Sequence, residues 1–465
     1  MSPSSTGASS ARVVDTVNPY TGQVEYRVPL MDAAEVEARL AAATQAFPAW
    51  AALSLEQRGR HVRKIADVLR KRRDDIQTLM TVEMGKLRRE ALAEAEKCAA
   101  CCDHYADHAI EYLQPQTIMT EARSSYVRYE PLGCVFALMP WNFPIWQVFR
   151  FLAPALMAGN VALLKHAANV PRCADLIAAV LREAGLPDGV FAVLHIDNEQ
   201  AAAVLRDERI VAATLTGSER AGRSIAATAG SVLKKCVMEL GGSDAFIVLE
   251  DADLDAAAAA AVRSRFDNAG QTCIAAKRFI VLDAVADAFA ARLVEGAKAR
   301  VYGDPSDEAT TLAPMARADL REGLQAQVSA SIAAGAVPLL GCEPLAGTHA
   351  GYPASILDRV APGMPAWDEE LFGPVASIIR VADEAQALAV ANGSPYGLGG
   401  SVWTADLARG ERIAQRLQCG AAFVNAVVKS DVRLPFGGIK RSGYGRELAE
   451  PGIREFMNAK TVYVA

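Results

Sequence analysis

Between Gly133 and Leu249 the chain alternates short apolar runs with longer amphipathic ones. GCVFALM, NVALLKH, VFAVLH, IVAATLTG and AFIVLED read as buried strands. PALMAG, CADLIAAVLREAGLP, EQAAAVLRD and ERAGRSIAATAG read as the helices between them. Apolar strands joined by crossover helices call for a parallel sheet covered on both faces, so the fold class is α/β. A similar pattern resumes after Asp253 and continues to about Arg441. A chain of 465 residues is too long for one core, which predicts two or three domains. Internal repeats and low-complexity linkers are missing from the sequence, so these domains must pack closely.

The flanks differ. From Asp32 to about Leu113 apolar residues recur at helical spacing. Short alternation from Ile118 to Tyr129 suggests a hairpin-like excursion, and FMNAKTVYVA suggests a terminal strand. The start, MSPSSTGASS, reads as a frayed tail with no secretory signal. A net charge of −6 without a basic run argues against a nucleic-acid partner. The uncharged run from Pro131 to Phe149 is near the length of a bilayer span. Pro131, Pro140, Pro144, Asn142 and Gln147 interrupt it, so no membrane partner is expected. Nine cysteines, an odd number, argue for reduced thiols and a cytoplasmic location.

Several stretches could carry chemistry. LTGSERAG, Leu215 to Gly222, is a glycine turn feeding a helix, and a helix start offers free N–H groups to a phosphate. The plain alternative is a structural turn. Glu239 in VMELGG is a carboxylate at a buried strand end. Burial would raise its pKa toward that of a general base, unless it is simply salt-bridged. Asn142 in PWNFP could donate to an oxyanion or merely cap a turn. Cys273 in FDNAGQTCIAAKRF could be a nucleophile or an inert small hydrophobe. The rival cluster Cys98, Cys101, Cys102 falls on one apolar helix face and lacks a second ligand pair, so it reads as core packing with no metal.

Taken in order, PWNFP, LLKHAAN, TGS, MELGG, GQTC, EELFGP and PFGGIKRSGYGRE resemble the aldehyde dehydrogenase superfamily, in its hydrolytic NAD(P)-dependent branch. The resemblance runs from about Asn18 to Val464. It implies a dinucleotide-binding α/β domain (1–112 and 132–241, with 442–456 returning to it), a catalytic α/β domain (242–441) and a small β oligomerisation element (113–131 and 457–465). It implies that Cys273 attacks an aldehyde, that Asn142 and the Cys273 N–H hold the oxyanion, and that Glu239 activates water to release the acid. Relatives that pass the acyl group to coenzyme A typically lack this glutamate, so its presence favours hydrolysis. For the cofactor, the resemblance assigns Lys165 to the adenosine ribose, Gly217 and Ser218 to the pyrophosphate, with Trp141 and Leu240 nearby. Glu370 and Phe372 fall to the nicotinamide end.

Many NAD-preferring members carry a glutamate three positions after the lysine. Here Ala168 stands there, so NADP should be accepted alongside NAD. Arg150 and Ser430 match the positions that hold the substrate carboxylate in succinate-semialdehyde dehydrogenases, with Phe143 and Phe436 beside them. A second family arginine is replaced by Asp267; Arg433 and Arg265 are possible substitutes. The expected reaction is succinate semialdehyde to succinate. The alternatives are a broad-specificity aliphatic or aromatic aldehyde dehydrogenase and a non-catalytic structural protein on the same fold. A homodimer or homotetramer is expected, because the strand edges of the small element need a partner.

Overall fold

In this computed structural model, residues 12–465 are described; the tail expected at 1–10 lies outside them. Six strands form a first sheet, in the order Gly443–Tyr444, Lys235–Glu239, Ile210–Thr216, Cys134–Met139, Val161–His166 and Phe191–Val193. All pairings are parallel except that of Gly443–Tyr444. Cys134–Met139 is buried along its whole length, as a central strand covered on both faces must be. A second sheet has seven strands, from Val337–Leu340 through Ser355–Asp358, Val375–Val381, Ala276–Leu282, Asp244–Val248 and Gly399–Trp403 to Ala421–Val424. Its pairings are parallel except at Val337–Leu340. A third, antiparallel sheet joins Met457–Val464, Ser124–Pro131 and Gln116–Thr117.

The motifs collect where the two large sheets meet. PWNFP follows Cys134–Met139, KHAAN follows Val161–His166, TGS follows Ile210–Thr216 and LGG follows Lys235–Glu239. All four therefore leave the carboxyl edge of the first sheet, where α/β sheets bind their ligands. The strand Ile210–Thr216 lies on one side of Cys134–Met139 and Val161–His166 on the other, which opens a crevice between their following loops. From the second sheet, GQTC precedes Ala276–Leu282 and ELFGP precedes Val375–Val381. The Nδ2 of Asn142 donates to the Gln271 carbonyl at 2.9 Å and ties the two edges together.

Two long helices beside the crevice start without a side-chain cap of their own: Trp146–Ala158 and Pro171–Glu183. Distant carboxylates satisfy their first N–H groups instead. Glu94, on helix Arg88–Tyr112, accepts from Ile145 N at 2.9 Å and Trp146 N at 2.8 Å, and it pairs with the buried Lys86. Glu83 accepts from Arg172 N at 3.0 Å and Cys173 N at 2.9 Å. Burial pushes the Glu83 carboxyl up to about 7, against the pull of those two amides. Cys98, Cys101 and Cys102 are buried on the same helix as Glu94 and pack in the core with Tyr105. Burial raises all three thiols, which keeps them protonated.

Candidate active site

The loop before Cys273 is unusually constrained. Asn268, Ala269 and Gly270 have φ of 55°, 51° and 71°, three left-handed residues in a row, of which only the last is free of Cβ strain. The surroundings hold them there. Glu90 accepts from Asn268 N at 2.9 Å, and the Gln271 side chain accepts from Ala316 N at 2.9 Å. Arg265, fully buried, donates to the Gly270 carbonyl and to the Gly373 carbonyl at 2.8 Å. Asn268 Nδ2 donates to the Asn142 carbonyl at 3.0 Å. Beyond the cysteine, Lys277 Nζ donates to the carbonyls of Thr272 at 2.9 Å and Cys273 at 2.8 Å, and sits 3.1 Å from Glu370. The backbone N–H of Cys273 donates to no acceptor among the described residues, which leaves it available to an oxyanion beside the Asn142 amide.

Cys273 is half-buried at the foot of this crevice. Dense surroundings push its thiol up to about 11, Arg150 and Lys277 pull it down, and Glu239 and Glu370 push it up again. Glu239 ends its strand fully enclosed, and neither carboxylate oxygen has a hydrogen-bond partner among the described residues. Burial raises its pKa well above the usual carboxylate range, and the neighbouring Glu447 raises it further; Arg150 and Arg446 oppose them. A carboxyl group so placed is a strong base once it ionises, and it has no competing partner to hold its proton acceptor sites. The antiparallel pairing of Gly443 with Glu239 brings Glu447 to this spot, two hundred positions away in the chain.

A second group of residues surrounds the first βα turns. Ser218 caps helix Glu219–Ser231, its Oγ accepting from Ala221 N at 3.3 Å. Gly222 on that helix has no room for a Cβ, which would lie 2.6 Å from Leu240. Lys165, next to last on its strand, is half-buried; its one hydrogen bond among the described residues is to the His166 carbonyl at 3.5 Å. Ala168 is exposed three residues on. His166 donates from Nε2 to the Pro144 carbonyl at 2.7 Å and accepts at Nδ1 from Ala167 N at 2.8 Å. Burial pushes it down to about 4, so it is neutral and braces the PWNFP loop. Across the crevice, Trp141 meets Phe372 edge to face at 5.8 Å. Glu370 accepts from Gly242 N at 3.1 Å and lies against Gly241.

Comparison with known proteins accounts for this arrangement. Residues 6–462 match the model of the aldehyde dehydrogenase family. The chain belongs to the aldehyde dehydrogenase family. It is 49% identical over 452 residues, covering 97% of this chain and all of the other, to a protein of Synechocystis named probable succinate-semialdehyde dehydrogenase [NADP(+)]. It is 46% identical over 448 residues, 96% of this chain and 97% of the other, to the succinate semialdehyde dehydrogenase [NAD(P)+] of Escherichia coli K12. Its fold superposes on the crystal structure of succinic semialdehyde dehydrogenase from Streptococcus pyogenes in complex with NADP+. There the TM-score is 0.95 at 38% identity, with 97% of this chain and 99% of that one covered.

In this family member the expected residues do not all sit as expected. Cys273, Asn142 and Glu239 converge on one crevice, and Lys165, Gly217, Ser218, Leu240, Glu370, Phe372 and Trp141 lie around its carboxyl-edge turns. Arg150 is buried beside the crevice. Its Nε is ion-paired with Glu447, its Nη2 donates to Thr216 at 3.2 Å, and the Phe436 ring covers its guanidinium at 4.6 Å. Glu447 is a buried counter-charge to Arg150, and Phe436 is buried with them. The proposed substitutes serve elsewhere. Arg265 clamps the Cys273 loop, and the exposed Arg433 pairs with Asp431 at 2.7 Å. Asp267, which opposed an anionic substrate, pairs with Arg300 at 3.1 Å.

A cavity of about 440 Å³ opens beside Cys273, lined by Phe143, Thr272, Ile274, Ser430 and, unanticipated, Lys97. Sequence reasoning passed over Lys97, Lys277, Glu94 and Glu447. Lys277 carried one signal, a charge four residues after Cys273 within an apolar strand. Lys97 carried none, because a lysine on an amphipathic helix ordinarily faces water.

Proposed function

We propose that this family member oxidises succinate semialdehyde to succinate with NADP, and that it also accepts NAD. The observation that carries the reading is the convergence of Cys273, the Asn142 amide and the unpartnered Glu239 carboxyl on one crevice. Cys273 adds to the aldehyde carbon. The Asn142 Nδ2 and the Cys273 N–H stabilise the oxyanion of the thiohemiacetal. A bound nicotinamide dinucleotide supplies the two-electron acceptor that turns this adduct into a thioester. Glu239 then takes a proton from water, and the thioester is released as the acid. Lys277 keeps the Cys273 carbonyl and Glu370 in register throughout.

The residues present suit the dinucleotide. The start of helix Glu219–Ser231 offers N–H groups to the pyrophosphate. Lys165 is a half-buried ammonium without a carboxylate partner among the described residues, as a ribose or 2′-phosphate ligand requires. The exposed Ala168 leaves the space beside it free of negative charge. The names of the relatives support the substrate, as does the polar Ser430 in the cavity beside Cys273. The apolar lining by Phe143, Ile274 and Val427 favours the second reading, a broad aliphatic or aromatic aldehyde dehydrogenase.

Nine free cysteines, none in a disulfide, support a cytoplasmic setting, and no helix among the described residues is long and apolar enough to cross a membrane. The outer edge of strand Met457–Val464 is unpaired among the described residues, which supports a homodimer or homotetramer. A kinetic panel of aldehydes against both cofactors tests the whole reading. Succinate semialdehyde with NADP should give the highest kcat/KM; a neutral or aromatic aldehyde ranking above it would transfer the assignment to the second reading.

A further inference from the structure

We propose that Glu90 is a positioning residue of the oxyanion hole: it holds Asn268 in a left-handed conformation, and Asn268 in turn aims the Asn142 amide. The inference rests on the reading above, in which Asn142 and the Cys273 N–H hold the oxyanion, and names what keeps that donor in place. Glu90 stands in the first turn of helix Arg88–Tyr112, three residues after its N-cap Leu87. A glutamate there ordinarily turns back to the cap of its own helix. Glu90 instead reaches the Cys273 loop, 178 positions along the chain, where it accepts from Asn268 N at 2.9 Å. Among the described residues it is the only acceptor for that N–H.

Asn268 and Ala269 both carry a Cβ, so they keep their positive φ only against steric strain. Asn268 is buried, and loss of Glu90 would leave its N–H unsatisfied and favour relaxation to a right-handed backbone. Its side chain moves with that backbone. The Asn268 Nδ2 donates to the Asn142 carbonyl at 3.0 Å and to the Gln271 carbonyl at 3.2 Å. The Gln271 carbonyl also accepts from Asn142 Nδ2 at 2.9 Å. An amide nitrogen carries two hydrogens; Gln271 takes one from Asn142, and the other is left to point at an oxyanion. Asn142 is thus held at its carbonyl and at its side chain by the stretch that Glu90 anchors. Arg265 holds the Gly270 carbonyl and Ala316 N holds the Gln271 side chain, both beyond Asn268 in the chain. Glu90 does this with one oxygen, while its Oε2 is enclosed without a partner among the described residues. Burial raises the carboxyl, against the Asn268 amide and Lys86, so a neutral amide oxygen in the same place should serve.

The test measures kcat/KM on the full-length enzyme with saturating NADP and whichever aldehyde ranks highest in the panel above. Glu90→Ala should lower it about 10- to 100-fold, mostly through kcat, a share of the roughly 100- to 1,000-fold typical of a deleted oxyanion donor. Glu90→Gln should keep most of it. Asn142→Ala should show the larger loss, and adding Glu90→Ala to it should cost less than about threefold more, because both act through one donor. Alkylation of Cys273 by iodoacetamide forms no oxyanion, so its rate at about pH 8 should stay within about threefold in Glu90→Ala. An unchanged kcat/KM in Glu90→Ala, full additivity of the two losses, or alkylation falling in step with turnover overturns the proposal alone. An unchanged kcat/KM in Asn142→Ala overturns the oxyanion reading and the proposal with it. Should Glu90→Ala not fold, Glu90→Asp decides, since its carboxyl stops one methylene short of Asn268: an unchanged kcat/KM there overturns the proposal.

Discussion

Cys273, the proposed nucleophile, has a resting state that works against that role. Burial and the two nearby carboxyl groups hold the thiol at about 11, with only Arg150 and Lys277 opposing them. Below that value the thiolate fraction, and with it reactivity, grows tenfold per pH unit. In the enzyme without ligands, inactivation by iodoacetamide should therefore rise close to tenfold per unit between about pH 7 and 9, and a plateau below pH 8 would contradict this reading of the electrostatics. Lys165 and Lys97 form a second residue-scale pattern. Both are half-buried ammonium groups without carboxylate ion pairs among the described residues, one at the proposed dinucleotide turn and one lining the cavity beside Cys273. Cofactor choice follows from the first of these. Ala168→Glu would place a negative charge beside the 2′-phosphate, and a few kcal/mol of repulsion should lower kcat/KM for NADP about 100-fold while leaving NAD within a few-fold. Steady-state kinetics with both cofactors reads this directly, and equal losses for the two would argue for damage to the turn itself.

At the level of elements, the site depends on helix starts capped from a distance. Trp146–Ala158 carries Arg150, and its entry is the PWNFP loop that holds Asn142. Glu94 supplies the cap from another helix, and Lys86 neutralises it. Glu94→Gln leaves the Lys86 ammonium buried and unpaired, so it should cost about 3–5 kcal/mol of stability. It should also lower kcat by loosening Asn142. The double variant Lys86→Met, Glu94→Gln should lose less than the sum of the single losses, and thermal midpoints of the three variants check this. The parallel strands and their helices were legible in the sequence because burial on both faces leaves apolar runs with no polar register. The caps were not legible. Glu83 and Glu94 lie within amphipathic helices, and nothing local distinguishes a carboxylate that reaches a distant N-terminus from one that faces water.

At the scale of the whole molecule, the last strand closes the small sheet by pairing Met457–Val464 with Ser124–Pro131 across more than three hundred residues. Its far edge has no partner among the described residues. If that edge joins subunits, removing residues 457–465 should lower the mass measured by light scattering to that of a single chain. An unchanged mass would place the interface elsewhere. The family was determined by sequence alone, because ordered motifs carry it in local residue types, and the same motifs single out Cys273 as the proposed nucleophile and Glu239 as the proposed base. The destination of each buried charge was decided only by tertiary structure. Arg150 matched a substrate-binding position by spacing, and the turn through Gly443 brings Glu447 to it as a buried partner that spacing did not show. Lys97 looked like an ordinary helix lysine, yet packing places it against Trp146 and Ser430 beside the reactive thiol's cavity. Electrostatic partners are set by distance in space, to which sequence separation is blind, and that is why the chemistry was readable from the chain while the pairing of its buried charges was not.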